Sequence, residues 1–238
     1  MSKPLEGRIA LVTGASRGIG RAAAIALGAA GAQVICVART TGGLEEVDDA
    51  IRKAGGAPAT LVPMNLKDFD AIDRLGASIY ERWGRLDALM GNAGVLGQLT
   101  PLAQLSPKTC QEVMDVNVTA NWRLIRSLDP LLRQSDAGRV VFVSSGAARK
   151  HTPYWGAYAM SKAALEMMAL TYAAENRGTG LKVNILNPGP LRTQMRAKAM
   201  PGEDPGVLAT PEDIAPLVVD MLSPSYDRSE AVVDFQPK

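Results

Sequence analysis

The sequence has a single histidine, His151, and two cysteines among its 238 residues. With one histidine, a histidine-based metal centre is not expected, and no metal site is assigned. Cys36 and Cys110 are scattered, which argues against a disulfide framework and for a reducing compartment. Charge of one sign is also missing: 26 Lys and Arg stand against 24 Asp and Glu, a net charge of +2. No basic stripe interleaved with aromatics occurs, so nucleic acid is not an expected partner. No apolar run reaches membrane-spanning length, and no charged stretch followed by an apolar one opens the chain. No membrane association is expected, and a cytoplasmic location is. Repeats, linkers and low-complexity tracts are absent too, so residues 1–238 are expected to form one domain. What the chain does have is 47% hydrophobic residues, enough for a full core, and 23 glycines.

Three of those glycines fall in Thr13-Gly14-Ala15-Ser16-Arg17-Gly18-Ile19-Gly20. An apolar run too short for a helix precedes this stretch, and the Ala-rich, helix-forming 21–27 follows it. The glycines therefore sit on a strand-to-helix turn, where unpaired backbone N–H groups and the positive end of a helix dipole suit a pyrophosphate. Gly14 allows the sharp turn, Gly18 a close approach of the phosphates, and Gly20 close packing of the helix. The spacing is Gly-x3-Gly-x-Gly, not the common Gly-x-Gly-x2-Gly, and an ordinary glycine-rich turn is the alternative.

Residues 33–38 read as a second buried strand that ends at Arg39. In a doubly wound sheet that end meets the adenosine ribose of a dinucleotide. An acidic residue there would favour NAD. Arg39, with Arg17 near enough to help, favours the 2′-phosphate of NADP, since a guanidinium offers several donors at fixed geometry. The alternative is that both arginines are solvated surface charges.

The rest of the chain alternates. A helix over 44–54 leads to a strand over 57–62 closed by Pro63, with Asn65-Leu66 placed to flank an adenine ring. Asp68 caps a helix running to about Trp83, and a strand over 86–90 runs into Gly91-Asn92-Ala93-Gly94. Ser106-Pro107 opens a helix reaching about Leu132, with Asn117 among apolar neighbours, where it can kink the helix and free a carbonyl for a water. Strand 139–143 ends in Ser144-Ser145, a helix spans about 157–176, and strand 181–186 is broken by Asn187-Pro188-Gly189-Pro190-Leu191-Arg192-Thr193. Residues 195–205 read as a mobile flap, Pro211 opens a short helix, and 231–235 can form a last strand. The alternation predicts a Rossmann-type, doubly wound α/β/α sandwich around a parallel, seven-stranded sheet.

Tyr158 and Lys162 are four residues apart on a helix, hence on one face, and Ser145 ends the strand before it. A phenol is a poor acid at neutral pH. An ammonium one turn away, or the positive ring of an oxidised nicotinamide, favours the phenolate and lowers that pKa. Tyr158 can then exchange a proton with a carbonyl or alcohol oxygen while Ser145 hydrogen-bonds the same oxygen. Lys162 can also grip the nicotinamide ribose, and Asn117 can hold a water that relays protons from it. A lone Tyr-x3-Lys is more often a solvated helix face. The serine and the glycine turn reverse that reading.

Together these motifs make the chain resemble the compact, single-domain short-chain dehydrogenases/reductases over nearly its whole length. Thr13 to Gly20 matches the family's cofactor turn, and Asn92-Ala93-Gly94 its sheet-stabilising motif beside the adenosine. Asn117, Ser145, Tyr158 and Lys162 match its catalytic tetrad; Ser145 is preferred to Ser144 because it lies thirteen residues before the tyrosine. Pro188-Gly189 and Thr193, with Leu191 between them, match the segment that holds the nicotinamide carboxamide. The resemblance implies cofactor contacts from Gly14, Ser16, Arg17, Gly18, Ile19 and Gly20, from Arg39, Asn65 and Leu66, and from Asn92, Ala93, Gly94, Tyr158 and Lys162. It implies NADP(H) as the preferred cofactor, with NAD as the alternative. It also implies a homodimer or homotetramer formed through the two long helices. Gly91 departs from the family's usual Asn, which would weaken hydrogen bonding between strands. Asn65 stands for a common Asp, and the usual Gly-rich end, a region that often packs in a tetramer, is missing before the chain stops at Lys238. Segments 135–138, 155–158 and 200–205 are most similar to a YciK-like bacterial subgroup, which names no substrate.

The substrate pocket is expected between 95–99, 147–155 and the flap after Thr193, with Leu96, Tyr154, Trp155, Met195 and Met200 making it largely apolar beside Ser145 and Tyr158. His151 is read as a loop residue. The expected activity is NADP(H)-dependent interconversion of a small-molecule carbonyl and a secondary alcohol. A catalytically silent NADP(H)-binding sensor or scaffold is the alternative, and the intact tetrad speaks against it.

Overall fold

The computed structural model describes residues 3–236, so the chain's end at Lys238 lies outside them. Among these residues seven strands form one parallel sheet: β1 Ile9–Thr13, β2 Gln33–Ala38, β3 Thr60–Pro63, β4 Ala88–Gly91, β5 Arg139–Val143, β6 Lys182–Asn187 and β7 Val232–Asp234. Their spatial order is β3-β2-β1-β4-β5-β6-β7, so the order reverses between β1 and β4. In an open sheet of this kind a crevice opens at that reversal, outside the carboxyl ends of the strands.

Eight α-helices connect the strands: α1 Gly18–Ala29, α2 Thr41–Lys53, α3 Phe69–Trp83, α4 Pro107–Met114, α5 Ala120–Arg133, α6 Gly156–Glu175, α7 Gln194–Ala199 and α8 Pro211–Met221. The strands are apolar on both faces because both faces are covered. Alternate residues go to opposite sides: Ala10 and Val12 join α1, α2 and α8 in one core, while Ile9 and Leu11 join α3, α5 and α6 in the other. The result is the three-layer, doubly wound sandwich that the alternation of elements predicts.

Helix ends follow local chemistry. The Asp68 carboxylate accepts from Ala71 N at 3.0 Å and starts α3, and Gly84, at φ +71°, ends it. Ser106 Oγ accepts from Thr109 N at 3.1 Å ahead of Pro107, the start that Ser-Pro predicts for α4.

Three expectations take a definite form in the structure. The helix through Asn117 is interrupted by a π-turn, Asp115–Thr119, which is the form the kink takes. The segment expected to be a flap holds α7 and a 3-10 turn, Pro205–Val207, with Arg196 Nε donating to Glu203 Oε2 at 2.5 Å and Arg192 Nε to Pro205 O at 2.7 Å. At Gly91 no side chain is missing. The Phe142 ring and Asn121 Oδ1 fill the space, at 2.4 and 2.7 Å from where a Cβ would stand, so an Asn would clash there. Gly91 still pairs with Phe142 in the ladder.

Candidate active site

The carboxyl ends of β1, β2, β4, β5 and β6 gather nearly every residue singled out above. After β1, Gly14 and Gly18 take φ of +66° and +55°, conformations that need glycine. A Cβ on Gly20 would stand 2.3 Å from Gly14 O and 2.5 Å from Asn92 Nδ2, so α1 starts tight against the turn. The first turn of α1 carries no acidic residue to repel an anion. Asn92 Nδ2 donates to Thr13 O at 2.9 Å, while Asn92 N and Ala93 N donate to Thr13 Oγ1 at 3.0 and 3.1 Å. The motif thus fastens β4 to β1 at the reversal of strand order.

Arg39 is exposed at the end of β2, where an adenosine 2′-phosphate would lie. Across that gap, a Cβ on Gly43 in the first turn of α2 would meet Ser16 Cβ and Thr40 Oγ1 at 3.0 Å, which brings α2 and the glycine turn together. Arg17 points elsewhere: its Nη1 donates to Gln194 Oε1 at 3.1 Å, tying the turn to α7. Thr193 also reaches the turn, with Cγ2 3.6 Å from where a Gly18 Cβ would be. Asn65 is exposed and accepts from Lys67 N, and Leu66 is buried beside it. Positive-φ glycines, a first helical turn without acidic residues and the exposed Arg39 fit a dinucleotide with a 2′-phosphate.

On the other side of the crevice, α6 presents Tyr158 and Lys162. Lys162 is 3% exposed and donates Nζ to Val143 O at 2.8 Å, with Nζ 5.8 Å from the centre of the Tyr158 ring. Burial pushes its ammonium down to about 8, opposed by the Glu166 carboxylate. Asn117 is fully buried, and its side chain is saturated: Oδ1 accepts from Val95 N at 2.8 Å, and Nδ2 donates to Val95 O at 3.0 Å and Ser161 Oγ at 2.9 Å. Ser161 Oγ donates in turn to Tyr158 O at 2.8 Å. The Asn117 carbonyl is not simply free: Asn121 Nδ2 donates to it at 2.9 Å, leaving one lone pair. Gly94 closes the group, because a Cβ there would lie 3.3 Å from Asn117 Oδ1 and 3.5 Å from Lys162 Nζ.

The two adjacent serines separate cleanly. Ser144 Oγ is committed to Glu166 Oε1 at 2.7 Å. Ser145 Oγ is not drawn to Glu166: it accepts from Ala147 N at 3.2 Å and lies on the side of the Tyr158 phenol, whose acidity it favours. The expected acidity of Tyr158 needs correction. Burial raises the phenol above its ordinary value, and the Ser145 hydrogen bond offsets this only in part. Lys162 Nζ donates to the Val143 carbonyl and stands 5.8 Å from the centre of the phenol ring.

The expected pocket wall is divided. Val95, Gly97 and Gln98 line one cavity of about 450 Å³ with Thr109, Glu112 and Val113. Residues 150–154 line another of about 520 Å³ with Pro101, Leu102, Ala159 and Met160. Leu102 packs against the start of α6, 2.5 Å from where a Gly156 Cβ would be, which draws the loop at 101–104 into this second wall. Trp155 meets the Tyr158 ring edge-on at 5.9 Å, whereas Tyr154 is 59% exposed at φ +73°. Leu96 and Met195 are half-buried and line neither cavity. Pro188 and Leu191 are buried next to the exposed Gly189. Sequence reasoning passed over Ser161, Asn121 and Glu166, whose partners lie far along the chain or on another element.

The class follows from both the site and comparison with known proteins. The short chain dehydrogenase family model matches residues 8–204, and the chain belongs to that family of oxidoreductases. The oxidoreductase YciK of Escherichia coli K12 is 41% identical over 98% of this chain and 93% of its own. A short chain dehydrogenase from E. coli CFT073, solved with NADPH, is 40% identical and superposes with a TM-score of 0.95 over all of both chains. One from Shigella flexneri 2a, solved with NADP, is 40% identical with a TM-score of 0.94 over 98% of this chain and 99% of that one.

Proposed function

We propose that this chain is an NADP(H)-dependent oxidoreductase that interconverts a carbonyl and a secondary alcohol, with Tyr158 as the acid/base. The observation that carries the reading is the convergence of Tyr158, Ser145 and Lys162 on one edge of the sheet, facing a glycine turn fit for a pyrophosphate. Relatives solved with NADP and NADPH, and the exposed Arg39, support the choice of cofactor.

A bound reduced nicotinamide supplies the hydride to the carbonyl carbon. Tyr158 gives its hydroxyl proton to the carbonyl oxygen, and Ser145 hydrogen-bonds that oxygen as charge builds on it. In the reverse direction the phenolate takes the alcohol proton as hydride leaves. Lys162 spends one N–H on Val143 O and keeps two for the hydroxyls of a ribose. Asn117 acts through its backbone carbonyl, while its carboxamide braces Val95 and Ser161. No metal is assigned a part.

The reading treats residues 1–238 as a single NAD(P)-binding domain, cytoplasmic and homo-oligomeric. Trp122, Met160 and Met167, large apolar side chains exposed on α5 and α6, support an interface between copies. No helix among the described residues is long and apolar enough to cross a membrane. The test is a panel of ketones and aldehydes with NADPH, followed by the cofactor's absorbance. Turnover of at least one carbonyl is expected. Tight NADPH binding with no turnover across the panel would favour the sensor instead.

A further inference from the structure

Glu166 sits on α6 one turn beyond Lys162 and is only 12% exposed in its side chain. Its two oxygens are fully engaged. Oε1 accepts from Ser144 Oγ at 2.7 Å and from Arg149 Nη2 at 3.1 Å, and Oε2 accepts from Arg149 Nε at 3.1 Å. Ser144 and Arg149 bracket the 3-10 turn Gly146–Ala148 that follows Ser145, whose hydroxyl accepts from Ala147 N at 3.2 Å. The loop bearing Ser145 is therefore held to α6 at both ends by one carboxylate. The chain of contacts continues outward. Arg149 Nη1 lies 3.9 Å from Asp234 Oδ1, which accepts from Asn187 Nδ2 at 2.7 Å, and Asn187 Oδ1 accepts from Gly189 N at 3.3 Å.

We infer that Glu166 is a positioning residue: its carboxylate clamps the Ser145 loop to α6 and sets a negative charge one helical turn from the buried Lys162. The inference rests on the oxidoreductase reading for its consequence but not for its measurement. Other charged groups near this pair are few. Tyr158 and Lys162 share its helix, Arg149 and Lys150 come from the loop after β5, and Asp234 from β7. From the π-turn, Asp115 is occupied by Gln111 Nε2, and from α5, Asp129 accepts from Tyr172 further along α6. The Glu166 carboxylate opposes the effect of burial on Lys162.

Removing that charge lowers the Lys162 midpoint, because a nearby opposite charge favours the charged form. Removing Arg149 raises it, because Glu166 then acts on Lys162 without a competing cation. Glu166→Gln keeps an acceptor for Ser144 but loses the charge and one of the two oxygens that hold Arg149. The experiment titrates Lys162 directly by NMR of isotope-labelled lysine in the full chain, assigned with Lys162→Arg, in wild type, Glu166→Gln and Arg149→Gln. A downward shift of about one unit is expected in Glu166→Gln, the usual scale for such a loss, with an upward shift in Arg149→Gln. The alkaline limb of kcat/KM should move with each. An unmoved midpoint in Glu166→Gln, or shifts of the same sign in both variants, would overturn the inference. If Glu166→Gln does not fold, Glu166→Asp decides alone: with the carboxylate drawn back the Lys162 midpoint should fall, and an unmoved midpoint refutes the inference. The titration stands whether or not a carbonyl substrate is found, so failure here and failure of the oxidoreductase reading are separate results.

Discussion

At the amino edge of the sheet, Asp87 is 1% exposed and accepts from Ile9 N at 2.8 Å, Ser135 Oγ at 2.6 Å and Arg85 Nε at 3.2 Å, with Arg8 Nη1 at 3.7 Å. Arg139 beside it donates to four carbonyls, those of Gly138, Gly180, Ser223 and Pro224. At the carboxyl edge, Lys162 is about as deeply buried and donates to one carbonyl among the described residues. Burying a charge is costly unless partners replace its water. The amino edge replaces that water from within the chain, so its charges fix strand ends and nothing more. The carboxyl edge leaves N–H groups over, on Lys162 and in the glycine turn, and a ligand can take them.

If the two edges are independent in this way, a change at one should spare the other. The largest effect is expected from Tyr158→Phe. It should reduce kcat on the order of 10³-fold, the scale of a positioned acid/base. NADPH binding by fluorescence titration and the thermal midpoint should stay nearly as in wild type. Unchanged turnover would remove Tyr158 from the mechanism.

Asp87→Asn is the matching change at the amino edge. It leaves Arg8 and Arg85 facing a neutral group, and a loss of about 3 kcal/mol is expected in urea unfolding. Activity per folded molecule should hold. A fall in kcat of the folded fraction would show that the edges are coupled.

How far each edge could be seen in the sequence differs for the same reason. The carboxyl edge was legible, because a turn that must receive phosphate carries glycines at fixed spacing, and Tyr158 and Lys162 share one helix face. The sheet was legible because strands buried on both sides are short unbroken apolar runs, and their predicted ends fell within a few residues. Asp87, Arg139 and Glu166 gave no such signal. Their partners lie on separate elements, Ser135 for one and Ser223 for another, and no local pattern marks a contact that only the fold creates. The local structure of the 195–205 segment was not legible because it comes from Arg192 and Arg196, each pairing within the segment or just beyond it. Met and small residues there spoke only of the absence of a core.

Arg39→Ala sharpens the comparison from the ligand's side. A guanidinium left free for a phosphate should matter only when the phosphate is present. NADPH affinity is expected to fall ten- to a hundredfold, about 1.5–3 kcal/mol for a charge-assisted contact, with NADH affinity unchanged. Isothermal titration with both cofactors measures this, and equal losses would assign Arg39 no part in choosing between them.

The smallest effect concerns backbone, not charge. Tyr154 has φ +73°, a conformation costly for a side chain with a Cβ, and its carbonyl accepts from Thr100 N at 3.0 Å. That hydrogen bond joins the loop before α6 to the strand-end segment after β4, and strain of this kind is held only where surroundings enforce it. Tyr154→Gly removes both the ring and the strain, whereas Tyr154→Ala removes the ring alone. Glycine should therefore be the more stable of the two by about 1 kcal/mol in thermal unfolding. If the strained turn also aims Trp155 at Tyr158, kcat/KM should be lower in the glycine variant than in the alanine one. Stability and activity would then move in opposite directions at the carboxyl edge, a trade that the closed clusters of the amino edge give no reason to expect. Equal stability of the two variants would mean that the turn carries no strain.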